Sequence, residues 1–537
     1  MAGVMPQGAR ALLVALALWL APGAPVALQA QEPPAGLIPL KILALNDLHG
    51  GLDSGRQVGG RAVGGAAYLA AYMKQRAAGA QNAVIVGAGD MVGASPPISG
   101  LLRDEPTVRV LNAIGLSINA AGNHEFDRGT EELFRLANGG CQPETGCFEG
   151  ARYTTISTNV LVETTGQTLF SPYVLRDIQG VPVAFIGATN DDVPRITVAG
   201  AVRGLQFGDA AQRVNATVAA LKAQGVRAMV VLVHQGGSVD RATRQLTGPV
   251  ADFVDRLDPE VDLVVSSHTH QGYATRRNGI LVTQGFSYGT AFVDADLLLD
   301  PATGDVVDAR AQVVTTYQDQ VEPDPEVQAI VDEAARQVGP RINRVVGTST
   351  GNLTRNQTRG GETALGNLVA DSYRWATGAQ IGMTNPGGLR TDLRSGDLTW
   401  GALYAVTPFA NGVESLTLTG EQLYATFNQQ WSVEAGGGER YRPLQVSGLR
   451  VVWDGRRPMG DRIVLLTLES GAVVQRNGRY TVATNSFIAP GGDGFDALAV
   501  GRDRQSAGVD VDALVAYVES LPKPFTLRSE GRITRLD

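Results

Sequence analysis

Short, mostly apolar runs recur through the first half of the chain, at residues 40–45, 83–86, 116–121, 181–188, 228–233 and 261–266. Runs of that length, with few polar residues among them, predict strands covered on both faces. Between them, residues 63–78, 107–114 and 210–224 read as helices. This alternation predicts a layered α/β fold. The last apolar runs, 280–283 and 291–299, are expected to be antiparallel.

The pattern breaks at Val321-Glu322-Pro323-Asp324-Pro325-Glu326, a stretch rich in proline and acid, after which residues 327–338 read as an amphipathic helix. Proline at a helix start and acidic residues in its first turn are entry signals. A chain of 537 residues exceeds one hydrophobic core. We therefore expect a linker helix over 323–340, dividing a first domain from a second over 341–537. The second half carries its own helical (362–375, 420–431) and strand-like (414–419, 449–453, 480–484) segments.

The amino terminus adds a compartment. Arg10 precedes an apolar stretch over 11–21 and then Ala27-Leu28-Gln29-Ala30, which predicts a signal peptide over 1–30, with an uncleaved anchor as the alternative. The stretch is short for a membrane span, no cysteine follows it for lipid attachment, and residues 531–537 are polar. An exported protein, periplasmic or secreted and without a stable membrane anchor, is expected. The two cysteines, Cys141 and Cys147, share one Gly/Pro-containing loop, where an oxidising compartment would bridge them. The net charge of −8 argues against a nucleic acid polymer as partner. It leaves room for a small phosphorylated ligand held by a local charge cluster.

Chemistry concentrates in the histidines. The chain has five: His49, His124, His234, His268 and His270, each following an apolar strand-like run and sitting in a polar turn. Asp47, Asp90 and Asn123 stand in the same kind of position. In Asp47-Leu48-His49 and His268-Thr269-His270 the alternate residues project the same way along an extended backbone. Packing histidines are scattered, so this convergence points to a metal centre. Mixed imidazole, carboxylate and amide donors suit Zn, Mn or Co. Their number exceeds one tetrahedral site, so two divalent ions are expected.

These blocks (Asp47-x-His49, Gly89-Asp90, Gly122-Asn123-His124-Glu125, His234 and Ser267-His268-Thr269-His270) resemble, in order and spacing, those of the calcineurin-like metallophosphoesterases. Ser267 stands where glycine is usual. The resemblance implies a four-layer β-sandwich flanked by helices over 31–322. It also implies one ion on Asp47, His49, Asp90 and His270, and another on Asp90, Asn123, His234 and His268. His124 would be a catalytic imidazole oriented by Asp127 rather than a ligand; Glu125 has no assigned role.

The second half carries Thr384-Asn385-Pro386-Gly387-Gly388-Leu389-Arg390, Thr407-Pro408-Phe409-Ala410-Asn411, and a segment from Asn485 through Phe487 to Gly492-Asp493-Gly494. An arginine after a Gly-rich turn suits an oxyanion, and two aromatics with a carboxylate can sandwich a base and hold ribose hydroxyls. In this order they resemble the carboxyl-terminal domain of the 5′-nucleotidase family, an α/β substrate-binding domain over 341–537. The resemblance puts Phe409 and Phe487 around the base, Asp493 on the ribose, Asn385 and Arg390 near the phosphate, and Asn411 in the same site. Ala364 replaces an arginine of several relatives, and Pro386 replaces a glycine. The implied function is phosphate release from nucleoside 5′-monophosphates in nucleotide catabolism. Alternatives are a 2′,3′-cyclic-nucleotide 2′-phosphodiesterase/3′-nucleotidase, or a pyrophosphatase of UDP-sugars or dinucleotides.

Overall fold

The computed structural model describes residues 36–537 apart from 144, 199, 241 and 434–437. The expected signal peptide lies outside the described residues. Two six-stranded sheets form the centre of the amino-terminal half. The first runs, in spatial order, Asp305–Thr315, Ala291–Asp300, Ile38–Leu45, Ala83–Gly87, Ile118–Ala120 and Thr154–Ile156. The second runs Tyr173–Ile178, Val181–Ala188, Ala228–Val233, Leu263–Val265, Ile280–Gly285 and Gly272–Arg277.

The mostly apolar runs are explained by burial on both faces. Ile42, Ala44, Val86 and Ile118 of the first sheet meet Val183, Phe185, Val230 and Leu232 of the second in one core. Their alternates Leu43, Leu45 and Ile85 pack under the helices Ala66–Ala78, Glu105–Ile114 and Pro325–Ile342. Ala184, Ile186, Met229 and Val231 pack under Ala210–Ala223 and Pro249–Asp255. The result is the four-layer arrangement, helix, sheet, sheet, helix. One pairing differs from the expected one: Ile280–Gly285 is parallel to Leu263–Val265 and antiparallel only to Gly272–Arg277. Ala291–Asp300 belongs to the other sheet, antiparallel to Ile38–Leu45.

The linker helix begins at Pro325, where Asp324 accepts from the Val327 amide (3.0 Å) and from Lys74 Nζ (2.9 Å). It buries Val327, Ala334 and Val338 against the first domain and runs through Pro340 to Ile342. Proline there removes a single bond in the last turn, so the helix persists beyond the expected end. Ile342 also touches the core of the second half. That half is built on a five-stranded sheet, Gln445–Ser447, Ile381–Thr384, Arg479–Asn485, Gly412–Thr419 and Arg502–Val509. Helices Ala364–Thr377 and Asp510–Ser520 pack together on one of its faces. Cys141 and Cys147 are disulfide-bonded across a small hairpin.

Asp324→Ala removes a helix cap and should cost about 1 kcal/mol of local stability. Hydrogen exchange at the Val327 and Gln328 amides reads it; unchanged protection there would contradict the cap assignment.

Candidate metal centre and active site

The carboxyl ends of the strands place the polar groups. Asp47 and His49 follow Ile38–Leu45, Asp90 follows Ala83–Gly87, and Asn123 follows Ile118–Ala120. His234 follows Ala228–Val233, and His268 and His270 follow Leu263–Val265. All seven candidate ligands thus come to one rim of the sandwich, where α/β folds hold ligands. Asp47, His49, Asp90, His268 and His270 all have positive φ, between 46° and 72°. Each such residue stores roughly 1–3 kcal/mol of strain, held in place by the surrounding structure. Two glycines make the approach possible: a Cβ on Gly89 would lie 2.6 Å from His234 Nδ1, and one on Gly122 would lie 2.3 Å from Asp90 Oδ1.

Three groups of donors form: Asp47, His49 and His270; Asp90, His234 and His268; and His49, Asp90 and His124, which joins the other two. His49 Nε2 and His270 Nε2 lie 3.2 Å apart. The second group carries the test of fit. His234 Nδ1 is 2.9 Å from the Ala88 carbonyl oxygen and so holds the proton. Its Nε2 faces Asp90 Oδ2 at 3.0 Å and Asn123 Oδ1 at 3.1 Å, two buried acceptors that call for a positive charge at this point, a proton on Nε2 or a metal ion in its place. Although burial opposes it, the Asp90 carboxylate pushes His234 up to about 9, so the field here calls for a cation. The donor set fits a divalent ion.

Outer contacts hold these groups. Asp47 accepts from Asn46 Nδ2 (2.7 Å) and from the His268 amide (2.9 Å to Oδ2). Ser267, at the position where glycine was expected, donates to the carbonyls of Ala88 (2.7 Å) and Val233 (3.1 Å) beside His234. Glu125, which had no assigned role, accepts from the amides of Asp90, Met91 and Gly122 at 2.8, 2.8 and 2.7 Å. It ties the two metal-ligand loops together. Nothing in its local sequence pattern marks this, because two of its three partners are backbone groups of a distant loop. Burial and the charge of Asp90 push its carboxyl up to about 7.

His124 stands beside the cluster. Its amide donates to Asp90 Oδ1 (2.9 Å) and its Nδ1 lies 2.8 Å from Asp127 Oδ2. Burial opposes protonation, but the charges of Asp127 and Asp90 hold the imidazole above its ordinary value. Phe409 of the second domain stacks on this ring at 5.7 Å.

A cavity of about 190 Å³ opens there, lined by Asn123, His124, Asp127 and His268 from one side, and by Asn385, Arg390, Phe409, Asn411, Phe487 and Asp493 from the other. The structure therefore brings every candidate substrate residue to the metal cluster. Asn385 Nδ2 donates to Asp493 Oδ2 (2.7 Å), and Asn485 Nδ2 to Asn385 Oδ1 (3.1 Å). Arg390 lies 5.7 Å from the Phe409 ring centroid, and its buried Nε has no hydrogen-bond partner among the described residues. Sequence reasoning missed Arg440 and Arg442, which also line the cavity.

Fold and site define a class, the metal-dependent phosphoesterases. Residues 40–272 match the family described as calcineurin-like phosphoesterase, and residues 345–500 match the 5′-nucleotidase C-terminal domain. The chain belongs to the 5′-nucleotidase family, whose calcineurin-like domain is one that holds divalent metal ions. It is 34% identical to Endonuclease YhcR of Bacillus subtilis (strain 168), over 94% of this chain and 41% of that protein. It is 31% identical to Cell wall protein Lmo0130 of Listeria monocytogenes, over 93% of this chain and 69% of that protein. The chain thus spans about two fifths of the first relative's length. A solved 5′-nucleotidase precursor from Thermus thermophilus aligns with TM-score 0.80 and 27% identity, over 93% of this chain and 99% of that one. Among the described residues, no helix is long and apolar enough to cross a membrane.

Glu125→Ala would strand three buried amides, at about 1–3 kcal/mol each. We expect a lower melting temperature and loss of bound metal on dialysis. Wild-type metal content and melting would show that Glu125 does not organise the loops.

Proposed function

We propose that this chain is an exported phosphohydrolase with two divalent ions, Zn, Mn or Co, which releases phosphate from nucleoside 5′-monophosphates. The observation that carries the reading is one cavity that holds His124, the edge of the metal cluster, Arg390 and both Phe409 and Phe487. The likeness to the Thermus thermophilus 5′-nucleotidase precursor supports it.

Asp47, His49, Asp90 and His270 would hold one ion and Asp90, Asn123, His234 and His268 the other, with Asp90 shared. When bound, the ions supply an acidified water and charge stabilisation at phosphorus. The chain's own groups do the rest. Phe409 and Phe487 hold the base by stacking, and Asp493 accepts from the ribose hydroxyls. Arg390, with no hydrogen bond to its buried Nε, meets the phosphate oxygens. Asn385, tied to Asp493, keeps the sugar and phosphate sites in register. His124, whose imidazole the charges of Asp127 and Asp90 hold above its ordinary value against the effect of burial, gives its proton to the departing 5′-oxygen.

Phosphate release from AMP, GMP, UMP, 3′-AMP, cyclic 2′,3′-AMP, ADP and UDP-glucose, with and without a chelator, tests the reading. We expect the 5′-monophosphates to lead, the chelator to abolish turnover, and His124→Ala to lose about 10²–10⁴-fold in kcat while keeping its metal. Turnover of non-nucleotide esters alone, or metal loss in His124→Ala, would overturn it.

A further inference from the structure

A monoester needs a pocket on one side of the metal centre only. This protein has a second. A groove of about 760 Å³ lies between the domains, lined by Arg56, Phe286, Tyr288, Arg355, Arg390 and Arg394 among others. Arg390 borders both this groove and the base cavity. The Tyr288 ring lies 5.4 Å from His49 and 5.7 Å from His270, whereas the base cavity reaches Asn123, His124 and His268. The groove therefore adjoins the metal cluster through Tyr288, on the His49 and His270 side, and joins the base cavity at Arg390.

The groove's chemistry is that of a phosphate chain. Four arginines face it against two aspartates, Asp53 and Asp392. One of those, Asp392, is taken by Arg355 at 2.9 Å, and Arg355 also donates to the Arg390 carbonyl at 2.9 Å, bracing that loop. Arg56 lies 3.7 Å over the Tyr288 ring. Among the described residues, neither Arg56 nor Arg394 has a carboxylate within salt-bridge distance, in a chain whose net charge is −8. Phe286 is 43% exposed at the groove wall, held there at φ 56°. Guanidinium groups interleaved with exposed aromatic rings are how single strands are held without sequence preference. The overall negative charge disfavours a long duplex, but a groove of this size takes a few nucleotides.

We propose that this groove binds the strand leading to the 3′-terminal nucleotide of a short single-stranded oligonucleotide, making the site a phosphodiesterase as well. The inference rests on the base cavity and leaving-group side proposed above. The 3′-terminal nucleoside sits between Phe409 and Phe487, its 5′-phosphorus lies at the metal cluster, and the preceding nucleotides follow the arginines. Water loses one proton to solvent and its oxygen bonds to phosphorus. The bond from phosphorus to the 5′-oxygen breaks, its electron pair stays on that oxygen, and His124 supplies the proton. The products are a free nucleoside and a strand shortened by one and ending in a 3′-phosphate.

The test uses a thymidine hexamer carrying a 5′-fluorescein, with AMP as the reference substrate, on the metal-loaded full chain. We expect release of thymidine and 3′-phosphorylated pentamer. In Arg394→Glu, and independently in Arg56→Gln, the ratio of hexamer to AMP turnover (kcat/KM) should fall at least tenfold. Anisotropy of the labelled hexamer on chelator-treated protein should show binding that weakens with salt and weakens further in both variants. AMP turnover with an intact hexamer would overturn this inference and leave the nucleotidase reading standing; failure on both substrates would overturn both. Release of thymidine 5′-monophosphate would overturn the assigned polarity. An unchanged ratio in both variants, or arginine dependence only for ADP or UDP-glucose, would overturn the strand assignment.

Discussion

The structure turns on one electrostatic conflict. Asp90 and Asn123 direct buried oxygen lone pairs at His234 Nε2 from 3.0 and 3.1 Å, a point that needs a positive charge, either a proton on the imidazole or a metal ion in its place. Without positive charge there, the arrangement is repulsive and desolvated. The rest of the first domain can be understood as what keeps it assembled. Two sheets supply a rigid base, the left-handed residues at their rim turn side chains inward, and Glu125 clamps the two loops that would otherwise separate. Strain of this kind survives only where packing over-determines it.

The same centre organises the second domain. Phe409 reaches across to stack on His124, and Arg390 brings charge to a site built by the other half of the chain. The linker helix, docked along the first domain through Val327, Ala334 and Val338, ends at Ile342, which touches both cores. The edge of the metal cluster and the two aromatics Phe409 and Phe487 thus come from different domains and meet in one cavity.

Much of this was legible in the sequence. The apolar runs over 181–188 and 228–233 coincide with strands Val181–Ala188 and Ala228–Val233, because burial on both faces leaves an unbroken hydrophobic stretch. The seven candidate ligands were legible because each follows such a run. Other features were not. Asp305–Thr315 is an edge strand of mixed polarity, with little to separate it from a loop. The partnering of Ile280–Gly285 depends on which sheet it joins, a long-range outcome that local pattern does not encode. Glu125 acts largely through backbone amides of a distant loop, and the arginine groove combines Arg56 with Arg355, Arg390 and Arg394 of the other domain, so neither had a local pattern to find.

The central claim is that two ions share Asp90. Elemental analysis of purified wild-type protein and Asp90→Asn, dialysed against the same metal buffer, tests it most directly. The account predicts two divalent ions per wild-type chain and at most one in the variant, since the amide keeps the shape but loses the charge that both donor groups share. Two ions retained in Asp90→Asn, or a single ion in the wild type, would contradict it.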